Sequence, residues 1–234
     1  MSTGAKPLVK RLRNLVGWPE SGYEQSFAKR GNPEMPQPIE FWFDFSSPYG
    51  YLAAQKIDKL AESHRRSASW RPFLLGAVFK VTGSQPLTQA PLKGPYSLRD
   101  MERSAREIEV PFQLPAKFPF LSVAAARGFY FIDASDPGKA RAYAKAVYHR
   151  IFGEGQPPET GEQAAELGPK VGVDAKTLLA GINDQAIKDK LRAETDRAIA
   201  AGVFGSPFFI VDGEPFWGHD RLEQIDRWLE TGGW

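Results

Sequence analysis

The residues of this chain best suited to chemistry are Ser47 and Pro48, which stand between an apolar run, residues 39–45, and a helical pattern. Proline is pre-organised for the first position of a helix, so Ser47 is expected among unpaired backbone N–H groups at the positive end of the helix dipole. A serine in that place caps the helix or donates a hydrogen bond to an anion, and one side chain can do both. No Gly-x-Ser-x-Gly motif surrounds it, so we do not expect a nucleophile.

Two further pairs could take part in binding. Ser206-Pro207 precedes an apolar strand pattern. In the cis form, its peptide bond would let Ser206 offer its N–H and C=O to an extended peptide, whereas an ordinary turn is the alternative. His219 and Asp220 open the last helical pattern. Asp220 is either a helix N-cap or the partner of a ligand's ammonium group, and the residues alone leave the two readings even.

The elements that position these residues follow the order βαβ, helices, ββα. A βαβ unit is expected to be right-handed with parallel strands. Asp212-Gly213 between two apolar runs is a strong hairpin signal near the end of the chain. Helix starts are predicted at Asp136-Pro137, Asp174 and Asn183-Asp184 in the middle section. The predicted strands and helices of the outer parts are, in chain order, 39–45, 48–63, 67–73, 208–211, 214–217 and 220–229.

Three segments follow from this order. Residues 38–75 and 202–234 are predicted to form one domain, into which the nearly all-helical residues 76–201 are inserted as a subdomain. Within the insertion, the Gly- and Pro-rich stretch 76–96 could overhang Ser47. Residues 1–37 are predicted to be an arm that packs against the body or a second subunit, with a flexible tail and a targeting or membrane-surface helix as alternatives.

Composition excludes several classes of function. With 30 basic and 28 acidic residues, the net charge of +2 gives no reason to expect nucleic acid as a partner. The three histidines are never at metal-ligand spacing, so we expect no metal site. No run approaches ~18 apolar residues and no secretory signal is evident, which predicts a cytoplasmic protein without a membrane span.

The chain contains no cysteine, although its pattern suits a thiol enzyme. Proteins with the thioredoxin fold carry a Cys-x-x-Cys pair between a strand and the start of a helix, where Ser47 and Gly50 stand here. We therefore predict an α/β thioredoxin fold of the DsbA-like type, with helices inserted between the βαβ and ββα halves. The sequence pattern of a thiol enzyme in a chain without cysteine indicates that a ligand supplies the thiol. Glutathione is the cofactor we expect.

The chain resembles the 2-hydroxychromene-2-carboxylate isomerases and kappa-class glutathione transferases over residues 38–232. Five motifs in the same order carry the resemblance. They are Asp44-Phe45-Ser46-Ser47-Pro48-Tyr49, Leu75-Gly76-Ala77-Val78-Phe79-Lys80-Val81-Thr82-Gly83, Lys93-Gly94-Pro95-Tyr96, Gly202-Val203-Phe204-Gly205-Ser206-Pro207 and Trp217-Gly218-His219-Asp220-Arg221-Leu222.

The resemblance implies a role for several residues in glutathione binding. Ser47 matches the family's catalytic serine, which contacts the glutathione sulfur and is followed by Pro48 and Tyr49. Ser206 matches the residue before the cis proline, Pro207, and pairs with the cysteinyl backbone. The remaining matches are His219 and Asp220 at the γ-glutamyl end, Lys93 near the glycyl carboxylate, and Ser84, which stands where the family often has asparagine. Ser206 replaces a more usual apolar residue, and His219 a more usual serine or asparagine.

The resemblance implies a glutathione-dependent isomerase that acts on an intermediate of aromatic degradation. A kappa-like glutathione transferase or peroxidase is the close alternative, and a non-catalytic binding protein with a thioredoxin fold is the more distant one. A protein-disulfide oxidoreductase is excluded because the chain has no cysteine. The expected partners are glutathione, a small aromatic or aromatic-derived substrate, and a second copy of the chain in a homodimer.

Overall fold

A computed structural model describes residues 36–234, so the predicted arm over 1–37 lies almost entirely outside the described residues. The four strands are β1 (Ile39–Phe43), β2 (Ala68–Pro72), β3 (Phe208–Val211) and β4 (Glu214–Trp217). They form one sheet in the order β2-β1-β3-β4. β1 is parallel to β2 and antiparallel to β3, which is antiparallel to β4. This sheet confirms the predicted thioredoxin fold.

Nine α-helices accompany the sheet within residues 36–234. They are α1 (Pro48–Ser63), α2 (Leu75–Thr82), α3 (Lys93–Glu107), α4 (Val123–Asp133), α5 (Pro137–Tyr148), α6 (Gly161–Ala165), α7 (Ala175–Asn183), α8 (Gln185–Ala200) and α9 (Leu222–Thr231). Seven of them, α2 to α8, lie between β2 and β3, which confirms the predicted helical insertion. None of the described helices is long and apolar enough to cross a bilayer.

Aspartate caps begin three helices where the sequence predicts them. The side chains of Asp136, Asp174 and Asp184 accept hydrogen bonds from first-turn N–H groups of α5, α7 and α8. The last helix departs from the prediction, because residues 219–221 form a separate 3-10 turn and α9 starts at Leu222. Asp220 makes no capping bond in either element, so its interpretation as a helix cap is wrong.

Apolar side chains pack on both faces of the sheet. On one face, Phe41 and Phe43 of β1 belong to the large aromatic core that includes the buried side of α1. On the other, Trp42 packs with Phe208, Ala198 of α8 and three neighbours in a smaller core. Side chains alternate along a strand, so one strand contributes to both cores. Because α8 packs directly on the sheet, a domain division at residues 76 and 201 stays a prediction.

Candidate functional site

The turn between β1 and α1 holds Ser47 in place by two hydrogen bonds. Its Oγ accepts the backbone N–H of Gly50 at 3.0 Å, which makes Ser47 the N-cap of α1. The same Oγ donates to the carbonyl oxygen of Ser206 at 2.7 Å. Ser47 is 5% exposed. The hydroxyl therefore joins the start of α1 to the segment before β3, so the sequence prediction that it caps a helix is confirmed.

The Ser206–Pro207 peptide bond is cis, as predicted. The Ser206 carbonyl oxygen accepts the hydrogen bond from Ser47, and the Ser206 hydroxyl accepts one from the backbone N–H of Asp44 at 2.9 Å. The backbone N–H of Ser206 donates to no described residue, and the same is true of the Tyr49 N–H in the first turn of α1. Two backbone donors and a serine hydroxyl thus lie together at the positive end of a helix, an arrangement that suits an anion.

A buried carboxylate that sequence reasoning missed organises this turn. Asp44 accepts hydrogen bonds from the Ser46 N–H and hydroxyl, from the Ser122 hydroxyl at 2.6 Å, and from the Leu75 N–H at 2.7 Å. It is 3% exposed, and a buried charge is tolerated only when it is well compensated. Asp44 therefore ties the β1–α1 turn to the starts of α2 and α4. An acidic residue inside an apolar run was the available sequence signal.

Tyr148 and Gly50 complete the packing under the turn. The Tyr148 hydroxyl donates to the carbonyl oxygen of Asp44 at 3.0 Å. Burial, and secondarily the charge of Asp44, raise the pKa of Tyr148 far above its usual range, so the phenol stays a donor. A Cβ on Gly50 would lie 2.6 Å from the Tyr148 hydroxyl. This close approach explains why glycine stands where a redox protein has its second cysteine.

His219 and Tyr49 form the other end of the candidate site. Their rings are stacked with centroids 5.0 Å apart and an interplanar angle of 18°. The Tyr49 hydroxyl donates to Asp100 at 2.7 Å. Burial lowers the pKa of His219, and the charge of Asp220 opposes that shift. The imidazole is therefore expected to be neutral at neutral pH, stacked on a residue in the first turn of α1.

Asp220 is exposed and forms an ion pair with Arg221 at 3.3 Å. Since it caps no helix, its carboxylate remains available to a ligand. Ser84 and Lys93 are also exposed, and their side chains form no hydrogen bond or ion pair with a described residue. The structure thus brings Ser47, Pro48, Tyr49, Ser206, Pro207 and His219 together. No hydrogen bond or ion pair among the described residues connects Ser84 or Lys93 to them.

Comparison with known proteins agrees with this geometry. A family model described as a DSBA-like thioredoxin domain matches residues 38–230. A 2-hydroxychromene-2-carboxylate isomerase of Sphingobium xenophagum is 32% identical over 83% of this chain and 99% of its own length. A kappa 2 glutathione S-transferase of Caenorhabditis elegans is 29% identical over 82% of this chain and 91% of its own.

A solved structure gives the same assignment. The structure of a 2-hydroxychromene-2-carboxylate isomerase superposes with a TM-score of 0.75 and 28% identity, covering 82% of this chain and 94% of that one. The resemblance stated from the motifs is thereby confirmed. The chain belongs to the DSBA-like thioredoxin family, among the 2-hydroxychromene-2-carboxylate isomerases and their kappa-class glutathione transferase relatives.

Proposed function

We propose that the protein is a glutathione-dependent isomerase that acts on an intermediate of aromatic degradation. One observation carries the proposal: a buried serine hydroxyl lies between the start of α1 and a cis-proline segment in a chain without cysteine. The relatives named above are a 2-hydroxychromene-2-carboxylate isomerase and a kappa glutathione S-transferase, which supports an enzyme. A kappa-like transferase remains the alternative, because the 29% identical kappa relative shares most of the chain.

The residues present fit glutathione. The unpaired N–H groups of Tyr49 and Ser206, together with the Ser47 hydroxyl, offer donors to the cysteinyl unit and its sulfur. In the structure, the Ser47 hydroxyl donates to the Ser206 carbonyl oxygen. When glutathione binds, the hydroxyl would donate to the thiolate instead. Asp220 would hold the γ-glutamyl ammonium, with His219 beside it, while Lys93 and Ser84 would contact the glycyl end or the substrate. When bound, glutathione would supply a thiolate able to add reversibly to an electron-poor double bond.

The chain's contribution would be to keep the thiol ionised. A free thiol with a pKa of about 8.5 is only ~3% ionised at pH 7. A helix N-terminus can lower such a pKa by about 2 units, which corresponds to roughly 2.7 kcal/mol of preferential anion stabilisation. A serine donor, two backbone N–H groups and the dipole of α1 can together supply this amount.

The decisive test combines calorimetric titration of glutathione with the ultraviolet absorbance of its thiolate, followed against pH. We expect the bound thiol of the wild type to titrate about 2 units below the free thiol. Ser47→Ala should raise that pKa by about 1 unit or more, since one charge-assisted hydrogen bond is lost. An unshifted thiol in the wild-type complex would refute the mechanism.

Controls separate this effect from the loss of a helix cap. Asp174→Ala removes a comparable cap from α7, far along the chain, and should leave the thiol pKa unchanged. S-methylglutathione has no thiol to ionise and should show no titration. Turnover of 2-hydroxychromene-2-carboxylate with glutathione recovered unchanged would identify an isomerase, whereas consumed glutathione would identify a transferase.

We further propose that the protein acts in the cytoplasm as a homodimer. A thiol cofactor requires a reducing compartment, which favours the cytoplasm. Light scattering on the purified chain would measure its mass, and a monomer at micromolar concentration would refute the dimer.

A further inference from the structure

A second site candidate lies on the α8 side of the sheet, in a cavity of about 380 Å³ that we call the basic pocket. It is lined by residues of α2, α4 and α8 and not by Ser47, Ser206 or His219. Its lining residues are Leu74, Ala77, Val123, Arg127, Gln185, Lys188, Leu191, Arg192, Thr195 and Asp196. The lining thus combines three cationic side chains, one carboxylate and several apolar side chains.

The three cations of the basic pocket outnumber its single carboxylate, Asp196. Arg127, Lys188 and Arg192 form no ion pair within residues 36–234. The Nε of Arg127 is buried and has no hydrogen-bond partner among those residues. A buried donor without a partner is unfavourable, and more so when it belongs to a charged group. An anion in the basic pocket would pair with the charge of the Arg127 guanidinium.

Backbone groups add to this positive character. No side chain caps the start of α4, and its first residue, Val123, lines the basic pocket. The Ser122 hydroxyl, which could have capped α4, donates to Asp44 instead. The start of α4 therefore leaves first-turn N–H groups without a partner among the described residues, and the dipole of that helix favours negative charge there. The start of α2 does not contribute, because the Leu75 N–H already donates to Asp44.

A neighbouring cavity shows that this imbalance is not general. The groove beside β2, of about 390 Å³, contains Arg71, Arg141 and Lys190 together with Asp133 and Glu194. The Glu194 carboxylate forms ion pairs with Arg71 at 3.3 Å and with Lys190 at 2.9 Å. Two of its three cations are therefore paired with a carboxylate of the fold, whereas none of the three cations of the basic pocket has such a partner in the described part of the chain.

We propose that the basic pocket binds a small organic anion with one carboxylate or phosphate group and an apolar body. The cations Arg127, Lys188 and Arg192 would hold the anionic group, as guanidinium and ammonium groups do for both chemistries. Leu74, Ala77, Val123 and Leu191 would contact the apolar body. The site is separate from the glutathione site and does not depend on it.

Calorimetric titration without glutathione tests the proposal with four probes: benzoate, phenyl phosphate, acetate and benzyl alcohol. Benzoate or phenyl phosphate should bind at about 1 mM or tighter, the range that some nine non-hydrogen atoms can support. Acetate lacks the apolar body and benzyl alcohol lacks the charge, so both should bind more weakly. The stronger of the first two probes identifies the anionic group. Failure of both to bind would overturn the proposal.

Charge variants locate the binding. Lys188→Gln and Arg192→Gln should each weaken binding of the better probe about fivefold, the size of one partly exposed charge contact. Asp196→Asn removes the one acidic lining residue and should strengthen binding by a similar factor. Lys190→Gln makes the same charge change on the same helix in the other groove and should have no effect. Equal affinities in all four variants would overturn the proposal, whatever the fate of glutathione binding.

Discussion

The two ends of the candidate glutathione site are held in different ways. At the Ser47 end, comprising Asp44, Ser47 and Ser206, each side chain is less than a tenth exposed and fixed by hydrogen bonds within the fold. At the His219 end, comprising Tyr49, His219 and Asp220, a ring stack and an exposed ion pair hold the groups. The first end is part of the folded core, whereas the second rests on its surface.

This difference separates folding from binding. Because the Ser47 end uses the same atoms for stability and for the ligand, its substitutions should lower both. The His219 end leaves Asp220 without a structural task, so substitution of Asp220 should change binding alone. The following variants test that separation.

Asp44→Asn should have the largest effect. Asparagine has a single acceptor oxygen. Its NH₂ group would therefore face one of the donors from which Asp44 accepts a hydrogen bond. Losing charge-assisted bonds in a buried site should lower the free energy of unfolding by about 3 kcal/mol, measured by urea denaturation. Asp174→Asn is the matched control and should change little, because asparagine caps a helix as well as aspartate. Equal stability of the two variants would show that Asp44 does not organise the turn.

Gly50→Ala should be next, because its new Cβ would lie 2.6 Å from the Tyr148 hydroxyl. Overpacking of this kind should cost about 2 kcal/mol, although alanine is otherwise favoured over glycine inside a helix. Tyr148→Phe alone should cost about 1 kcal/mol for its lost hydrogen bond. Removing that hydroxyl also relieves the clash, so the double variant should be more stable than the sum of the single changes implies. Strict additivity in urea denaturation would contradict the close packing.

The two ends also differ in how far the sequence could predict them. The Ser47 cap and the order of the strands along the chain follow from local patterns. Pro48 marks the start of a helix, apolar alternation marks the strands and Asp212-Gly213 marks a hairpin, and each signal concerns only nearby backbone. The role of Asp44 could not be predicted, because its partners Leu75 and Ser122 lie 31 and 78 residues away. Such contacts depend on how the helices pack on the sheet.

At the His219 end, local patterns were misleading. The sequence Gly218-His219-Asp220 is typical of a helix start, but residues 219–221 form a 3-10 turn in which Asp220 caps no helix. The stack of Tyr49 on His219 joins residues from opposite ends of the chain and had no sequence signal. The roles of Ser84 and Lys93 rest on the resemblance, because contacts to a ligand leave no trace in the packing of the chain itself.

Asp220→Asn should affect binding without affecting folding. If Asp220 holds the γ-glutamyl ammonium, the change removes a charge-assisted contact worth roughly 1.5–3 kcal/mol, so glutathione affinity should fall about tenfold or more. The melting temperature without ligand should stay nearly constant, since Asp220 caps neither the 3-10 turn nor α9. Calorimetry and thermal unfolding measure the two quantities. A lower melting temperature with unchanged affinity would reverse the comparison between the two ends.

The smallest effect should be the pH dependence that His219 adds to stability. Burial lowers its pKa in the folded state, so the unfolded chain binds a proton more readily. The stability contributed by the neutral imidazole is therefore complete above the unfolded pKa, about 6.5, and is lost as pH falls through the lower folded pKa. Asp220, Asp100 and Glu107 oppose the shift and Lys56 adds to it.

His219→Asn isolates this contribution, because every other titrating group is common to both proteins. The free energy of unfolding of the wild type should fall more steeply than that of the variant as pH is lowered from 7 to 5. Urea denaturation at three pH values within that window measures the difference. Parallel curves would mean that the imidazole is as well solvated in the folded protein as in the unfolded chain. The stack on Tyr49 would then be too open to desolvate it, and the His219 end would be looser than its geometry indicates.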